Sequence, residues 1–223
     1  MRTYEAKITG ITPMLMHRDN IEFADDLRAW REDPTNKKVS VAGDDRSPAF
    51  TWLGCVYDDD GLVAMPSDNI MRCLLEGGTM VPVPGGKNGK TFKAQTQSGM
   101  LTVETGWPVL IDGKTIKMND LVQLKSEKDF KKHVETAVKY GFSLFTKRAA
   151  IMNKKHIRVR PKFSRWELNG HVDVWDDQIT IDVLQSIFRC AGEFKGLGDW
   201  RPSSKTPGPY GRFNTKLKLV KES

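Results

Sequence analysis

Cysteine is scarce in this chain. The three present, Cys55, Cys73 and Cys190, stand far apart with no CxxC pair. An odd, scattered set builds neither a disulfide framework nor a zinc finger, so a reducing, cytoplasmic setting and no bound metal are expected. Long apolar runs are missing too. None approaches the roughly 20 residues that cross a bilayer, which excludes a membrane helix. The opening Met1-Arg2-Thr3-Tyr4-Glu5-Ala6-Lys7 has no apolar signal core. No H-E-x-x-H, G-x-S-x-G, P-loop or EF-hand pattern occurs, and nothing repeats at a fixed period, so no cofactor is expected.

What the chain does have is positive charge. Over 223 residues, 35 Lys and Arg face 28 Asp and Glu, a net +7, which suits a polyanionic partner without requiring one. Apolar residues make up 39%, enough for one core and too many for a disordered chain. A single domain over residues 1–223 is expected, with 17–48 and 78–99 as insertions or flexible loops.

Alternation predicts a strand over residues 4–11, closed by Thr12-Pro13. Phe23, Leu27 and Trp30 have helical spacing within the polar stretch 17–48. A second strand is expected over 49–57, then a turn at Asp58-Asp59-Asp60-Gly61 and a return strand over 62–65. Ser67 is the expected cap of a helix carrying Ile70, Met71, Leu74 and Leu75. Residues 78–99 hold five glycines, Lys87, Lys90 and Lys93, and no acid, which reads as a basic loop. Strand segments are expected over 100–111, broken at Gly106 and Pro108. A helix over 126–140 would put Phe130, Val134, Ala137 and Val138 on one face. Residues 157–175 read as a hairpin turning at Asn169-Gly170. Thr180 would cap a helix with Ile181, Leu184, Ile187, Phe188 and Ala191 inward, stopped by Gly192. A Gly/Pro/Ser loop over 195–211 leads to a last strand from Phe213. The order predicts α+β, an antiparallel sheet covered on one face by two helices.

Three constellations could carry chemistry. Residues 147–165 hold eight cations (Lys147, Arg148, Lys154, Lys155, Arg158, Arg160, Lys162, Arg165) and no acid. Strand parity puts Ile157, Val159, Pro161 and Phe163 on one face and Arg158, Arg160, Lys162 and Trp166 on the other. Cations about 6.5–7 Å apart can follow the phosphates of a single strand, and an indole can stack on a base. A solvated face explains the same pattern equally well. The loop Lys195-Gly196-Leu197-Gly198-Asp199-Trp200-Arg201, closing through Arg212, has glycines that let a backbone approach a phosphate. His17 would serve as a general base in RNA cleavage, although an ordinary loop histidine is the simpler reading. The Asp58–Asp60 carboxylates are explained by their turn.

The Ile8-Thr9-Gly10-Ile11-Thr12-Pro13-Met14-Leu15-Met16 exit, the Met65-Pro66-Ser67-Asp68-Asn69-Ile70 helix entry and the Gly196-Leu197-Gly198 loop closing through Gly211-Arg212-Phe213 together resemble the RAMP superfamily of CRISPR systems. Within it, the likeness is to the backbone subunits of effector complexes. The resemblance implies a modified ferredoxin-like or RRM-type domain whose glycine loop and sheet side touch single-stranded RNA or DNA. It also implies self-association or docking on other effector subunits, with 78–99 or 17–48 as the reaching insertion. Two other readings follow from the same family: an endoribonuclease using His17, or metal-dependent cleavage through Asp19 or Asp25. A third is a decoy that docks on an effector complex without nucleic acid.

Overall fold

The computed structural model describes residues 1–87, 89–151 and 154–222, with the backbone alone at residues 150, 151, 154 and 155. In chain order the elements are β1 (Arg2–Gly10), β2 (Met14–Leu15), α1 (Ile21–Glu32), β3 (Asp58–Asp59), β4 (Leu62–Pro66), α2 (Ser67–Gly78), α3 (Lys93–Ser98), β5 (Met100–Thr102) and β6 (Gly106–Ile111). They continue with β7 (Lys114–Thr115), α4 (Met118–Val122), α5 (Phe130–Lys139), β8 (Ser143–Ile151), β9 (Lys154–Phe163), β10 (Glu167–Val174), α6 (Ile181–Cys190) and β11 (Phe213–Glu222).

The larger sheet runs β11-β1-β10-β6-β4-β3 with every neighbouring pair antiparallel. Its logic is the alternation in β1: Tyr4, Ala6 and Ile8 turn inward, Glu5 and Lys7 outward. Val172 and Val174 of β10 complete the inner face. Helices α2 and α6 pack on each other over that face, through buried Ile70, Leu74, Leu184, Ile187 and Phe188. Each such side chain, taken out of water, contributes about 1.5–3 kcal/mol. The chain is therefore α+β, with an antiparallel sheet covered by helices. A smaller sheet, β2-β9-β8, stands beside it. No helix among the described residues is long and apolar enough to cross a membrane.

Several expected elements differ. Residues 49–55 form a 3-10 helix rather than a strand. Six of the seven are buried, and a run buried all round has no period to separate strand from helix. Helix α2 starts at Ser67, but Pro66 occupies its cap position and the Ser67 hydroxyl donates to the Glu104 carbonyl instead. Residues 93–98, within the expected basic loop, are helical. Pro108 does not break β6; it pairs with Ala64 inside the strand. On α5, His133 rather than Val138 faces the core, because its Nδ1 accepts from the Trp52 indole N–H at 3.0 Å; Val138 is exposed. Gly192 does not stop α6, which runs on through a π-turn to Gly196.

The largest correction concerns 157–175, which is not a hairpin. β9 pairs with β8 in the smaller sheet, whereas β10 pairs with β1 in the larger. Asn169-Gly170 lies mid-strand in β10. Gly170 is needed there because a Cβ would strike the Trp107 ring.

Candidate nucleic-acid interface

The β8–β9 ribbon is the scaffold. Its register sets Ser143 opposite Lys162, Phe145 opposite Arg160 and Lys147 opposite Arg158. Directly opposed residues share a face, so Phe145, Lys147, Arg158, Arg160 and Lys162 lie together while Val159, Pro161 and Phe163 face the core. Like charges opposed across a ladder repel. Arg158, opposed to Lys147, shares a counterion with Arg160, its neighbour on the same face of β9. The loop before the 3-10 helix pairs with β9, Asp45 N–H donating to the Ile157 carbonyl. That contact brings the Asp45 carboxylate between the two arginines. It accepts from Arg158 Nη1 at 2.9 Å, Arg160 Nη1 at 3.3 Å and the Val159 amide at 3.2 Å. Asp45 and Arg160 are largely buried, with side chains 7% and 14% exposed; Arg158 is 36% exposed. The predicted cationic row therefore exists, but its two arginines are anchored by one carboxylate.

The glycine loop lies across the other side. Gly196, Gly198 and Gly211 all have positive φ, and a Cβ on Gly198 would strike the Leu15 carbonyl. The loop is thus pressed onto β2, with Asp199 N–H donating to Leu15 O at 2.8 Å and Gly211 N–H to Pro13 O at 2.8 Å. This delivers Asp199 to within 3.6 Å of Arg160 Nε and 3.8 Å of His17 Nδ1. His17 Nε2 in turn sits 3.1 Å from Arg160 Nη2. Burial, and then the Arg160 charge, push the His17 pKa below its ordinary 6.5. The imidazole is accordingly neutral at neutral pH. A groove of about 680 Å³ runs past His17, Arg31, Asp45, Arg158, Arg160 and Asp199.

Beside it, the loop and the ribbon build an aromatic patch. Tyr210 lies 5.5 Å from Trp200 and 5.7 Å from Phe145, centroid to centroid. Lys147 Nζ stands 3.0 Å over the Trp200 ring, and Lys162 Nζ 5.8 Å from Phe145. A second cavity, about 390 Å³, opens between this patch and Arg158, Arg160 and Asp199.

Of the residues singled out in the sequence, His17, Lys147, Arg158, Arg160, Lys162, Gly198 and Trp200 come together. Trp166 does not. It is 2% exposed, its Nε1 donates to Thr12 O, and it packs on Phe213 and against Gly10, so it cannot stack on a base. The parity count failed there because β9 ends at Phe163. Arg148 points to the opposite face of β8. Arg165 pairs with Asp112, away from the ribbon face. Arg201 braces the loop from within, through Ser203, the Gly198 carbonyl and Glu76. Gly196 lines a small cavity of about 150 Å³ with His17, Tyr57 and Arg72, and Lys195 ends the π-turn behind it. Arg212 is bonded through its backbone to Thr12 and is absent from the walls of both larger cavities. Lys154 and Lys155 belong to β9, but their side chains lie outside the described residues.

Two participants, Phe145 and Asp45, were missed, and two, Asp199 and Tyr210, stood in the glycine-loop stretch with no role assigned. Phe145 was accessible from its parity with Lys147, and Asp199 as the sole acid between residues 195 and 211. Asp45 and Tyr210 had no local signal. Among the described residues no group of three or more His, Cys, Asp or Glu is arranged to hold a metal ion. No protein-family model and no curated protein matches the chain.

Proposed function

We propose that the chain binds single-stranded nucleic acid, RNA foremost, along the β8–β9 ribbon, in the manner of a RAMP backbone-like subunit. One observation carries the reading: Lys147, Arg158, Arg160 and Lys162 share a ribbon face that abuts the Phe145–Trp200–Tyr210 rings. Cations neutralise phosphates and rings stack on bases, a combination that is tolerant of sequence. The fold supports the family reading. Taking β1, α2, β6, β10, α6 and β11 as the central units, the strand order β11-β1-β10-β6 corresponds to the fourth, first, third and second strands of a ferredoxin-like βαββαβ unit.

The test is binding of a fluorescein-labelled RNA by anisotropy across salt. A Lys147→Gln, Arg158→Gln pair is expected to weaken all sequences alike and to flatten the log Kd against log salt slope by about 0.7 per phosphate lost. An unchanged slope overturns the ribbon as the interface. Assembly is checked by light scattering after size exclusion: excess RNA is expected to yield larger species, and a strictly one-to-one complex rejects the backbone-like reading.

A second reading rests on His17. In an open groove, a neutral imidazole whose Nε2 lone pair accepts from Arg160 becomes a general base if a phosphate draws that guanidinium away, and Arg160 is then the phosphate-stabilising cation. Cleavage of labelled hairpin RNA in EDTA, lost in His17→Ala, supports it; an intact hairpin in both proteins rejects it.

A further inference from the structure

We infer that Trp200 is a platform for one nucleobase and that Lys147 is the lid on it. The inference rests on the single-strand reading above and adds how the ligand enters. The indole is packed by Tyr210, ring centroids 5.5 Å apart, and by Gly208, whose missing Cβ would otherwise collide with Trp200. Its backbone has φ 49°, a left-handed conformation that a bulky residue keeps only where its surroundings fix it, and such residues concentrate at ligand sites. The front of the ring is occupied by the molecule's own cation, Lys147 Nζ, 3.0 Å from the centroid.

The cavity in front, about 390 Å³, has the size of a small-molecule pocket, and Ser204 and Thr206 are in its walls. A flat ring is the shape that matches. A cationic guest is disfavoured because Arg158, Arg160 and Lys205 outnumber the one carboxylate, Asp199, in those walls. The guest is therefore a base attached to anionic phosphates. Hydroxyls donate and accept, so Ser204 and Thr206 suit any base. To stack, the base must displace the Lys147 ammonium. Lys147 lies opposite Arg158 on the ribbon, so the displaced charge falls in line with the strand's phosphates. The same lysine thus opposes an uncharged base and favours a phosphate-linked one.

Lys147→Met separates the two effects with opposite signs. Adenosine, which has no phosphate, is expected to bind the variant about two- to fivefold more tightly, the strength of an exposed cation–π contact. A labelled RNA is expected to bind it more weakly, with a salt slope flatter by about 0.7. Tryptophan fluorescence reports both, and Trp200→Phe assigns the signal by abolishing most of the change. Adenosine affinity equal in wild type and Lys147→Met overturns the lid. Tighter binding of tetramethylammonium than of adenosine by the variant overturns the base assignment in favour of a cationic ligand. Adenosine that tightens while RNA fails to bind wild type at low salt keeps the lid and rejects the strand reading.

Discussion

Arg158 and Arg160 are anchored by Asp45 and, in the proposed reading, also contact phosphate; Asp45→Asn separates the two roles. The wild-type carboxylate accepts three hydrogen bonds, from Arg158, Arg160 and the Val159 amide. The amide keeps the volume but loses the charge, and its NH2 can only donate toward guanidiniums that also only donate. Breaking a fully buried ion pair costs about 3–5 kcal/mol. Arg158 is 36% exposed, so water takes up part of its released charge, and about 2 kcal/mol is the better figure. For a chain of this length that lowers Tm by about 4–8 °C. Binding is expected to move the other way. The groove loses a negative charge and two guanidiniums are released, so RNA affinity rises and the salt slope steepens by about 0.7 for each phosphate gained. Calorimetry gives the first quantity; anisotropy well below both melting points, between about 50 and 200 mM salt, gives the second. A protein that is destabilised as expected but has an unchanged slope refutes phosphate contact by these arginines. A flatter slope shows that Asp45 aims them, which refutes the reasoning from charge.

The His17 site predicts two pH effects. Its depressed pKa means that the unfolded chain takes up a proton near pH 6.5 while the native state stays neutral. Stability is therefore fully present above that pH and falls as pH drops toward the folded pKa, and Tm measured against pH in His17→Asn lacks that decline. A bound phosphate beside His17 favours its protonated form, so RNA affinity is expected to rise as pH falls toward the lowered pKa of the free protein, and less so in His17→Asn. Gly10→Ala drives a Cβ into the Trp166 ring. It is expected to cost about 1–3 kcal/mol by thermal melting, with unchanged RNA affinity at low temperature; weakened binding there would return Trp166 to the interface. Burial pushes the Cys55 and Cys73 thiols up to about 11 and about 12. Neither is expected to react with a thiol reagent at pH 8 until denaturant is added, as mass mapping of the labelled cysteines reports.

Short-range physics made most of the central sheet legible. β1, β11, α2 and α6 follow from alternation and helical spacing, and the Asp60-Gly61 turn from the two positive φ values that its residues tolerate. The errors arose where a long-range partner decides. Asn169-Gly170 carries a hairpin signal, yet Trp107, distant in sequence, needs the empty space that Gly170 leaves. His133 lies outside the apolar face that the spacing predicts for its helix, and Trp52 brings it into the core with a hydrogen bond. The same division runs through the interface. Parity within one strand found the row Arg158, Arg160 and Lys162. It could not find that a loop more than a hundred residues earlier brings Asp45 to neutralise two of them.

Under the proposed reading, the placement of rings and charges favours one surface for stacking on bases. On the open face of the larger sheet, the register aligns Glu5 with His171 and Lys218, and Lys7 with Asn169 and Lys216. Those central rows contain no phenylalanine, tyrosine or tryptophan, and Lys7 is spent on Glu167 at 2.9 Å. Glu5 and Asp173 on the same face repel a polyanion. Rings are found instead where the glycine loop crosses the ribbon. There four cations meet two carboxylates, Asp45 and Asp199, both held by the arginines. Lys147 and Lys162 are the cations of that face with no carboxylate partner among the described residues, and both lie over aromatic rings. A strand seeking both phosphate contacts and stacking has that corner of the molecule, and not the sheet, as its match. Charge reversal should therefore discriminate by location. Lys216→Glu on the sheet is expected to shift RNA affinity only through weak, salt-screened repulsion, whereas Lys162→Glu on the ribbon abolishes most of it. Equal losses from the two variants would mean that the strand crosses the sheet after all.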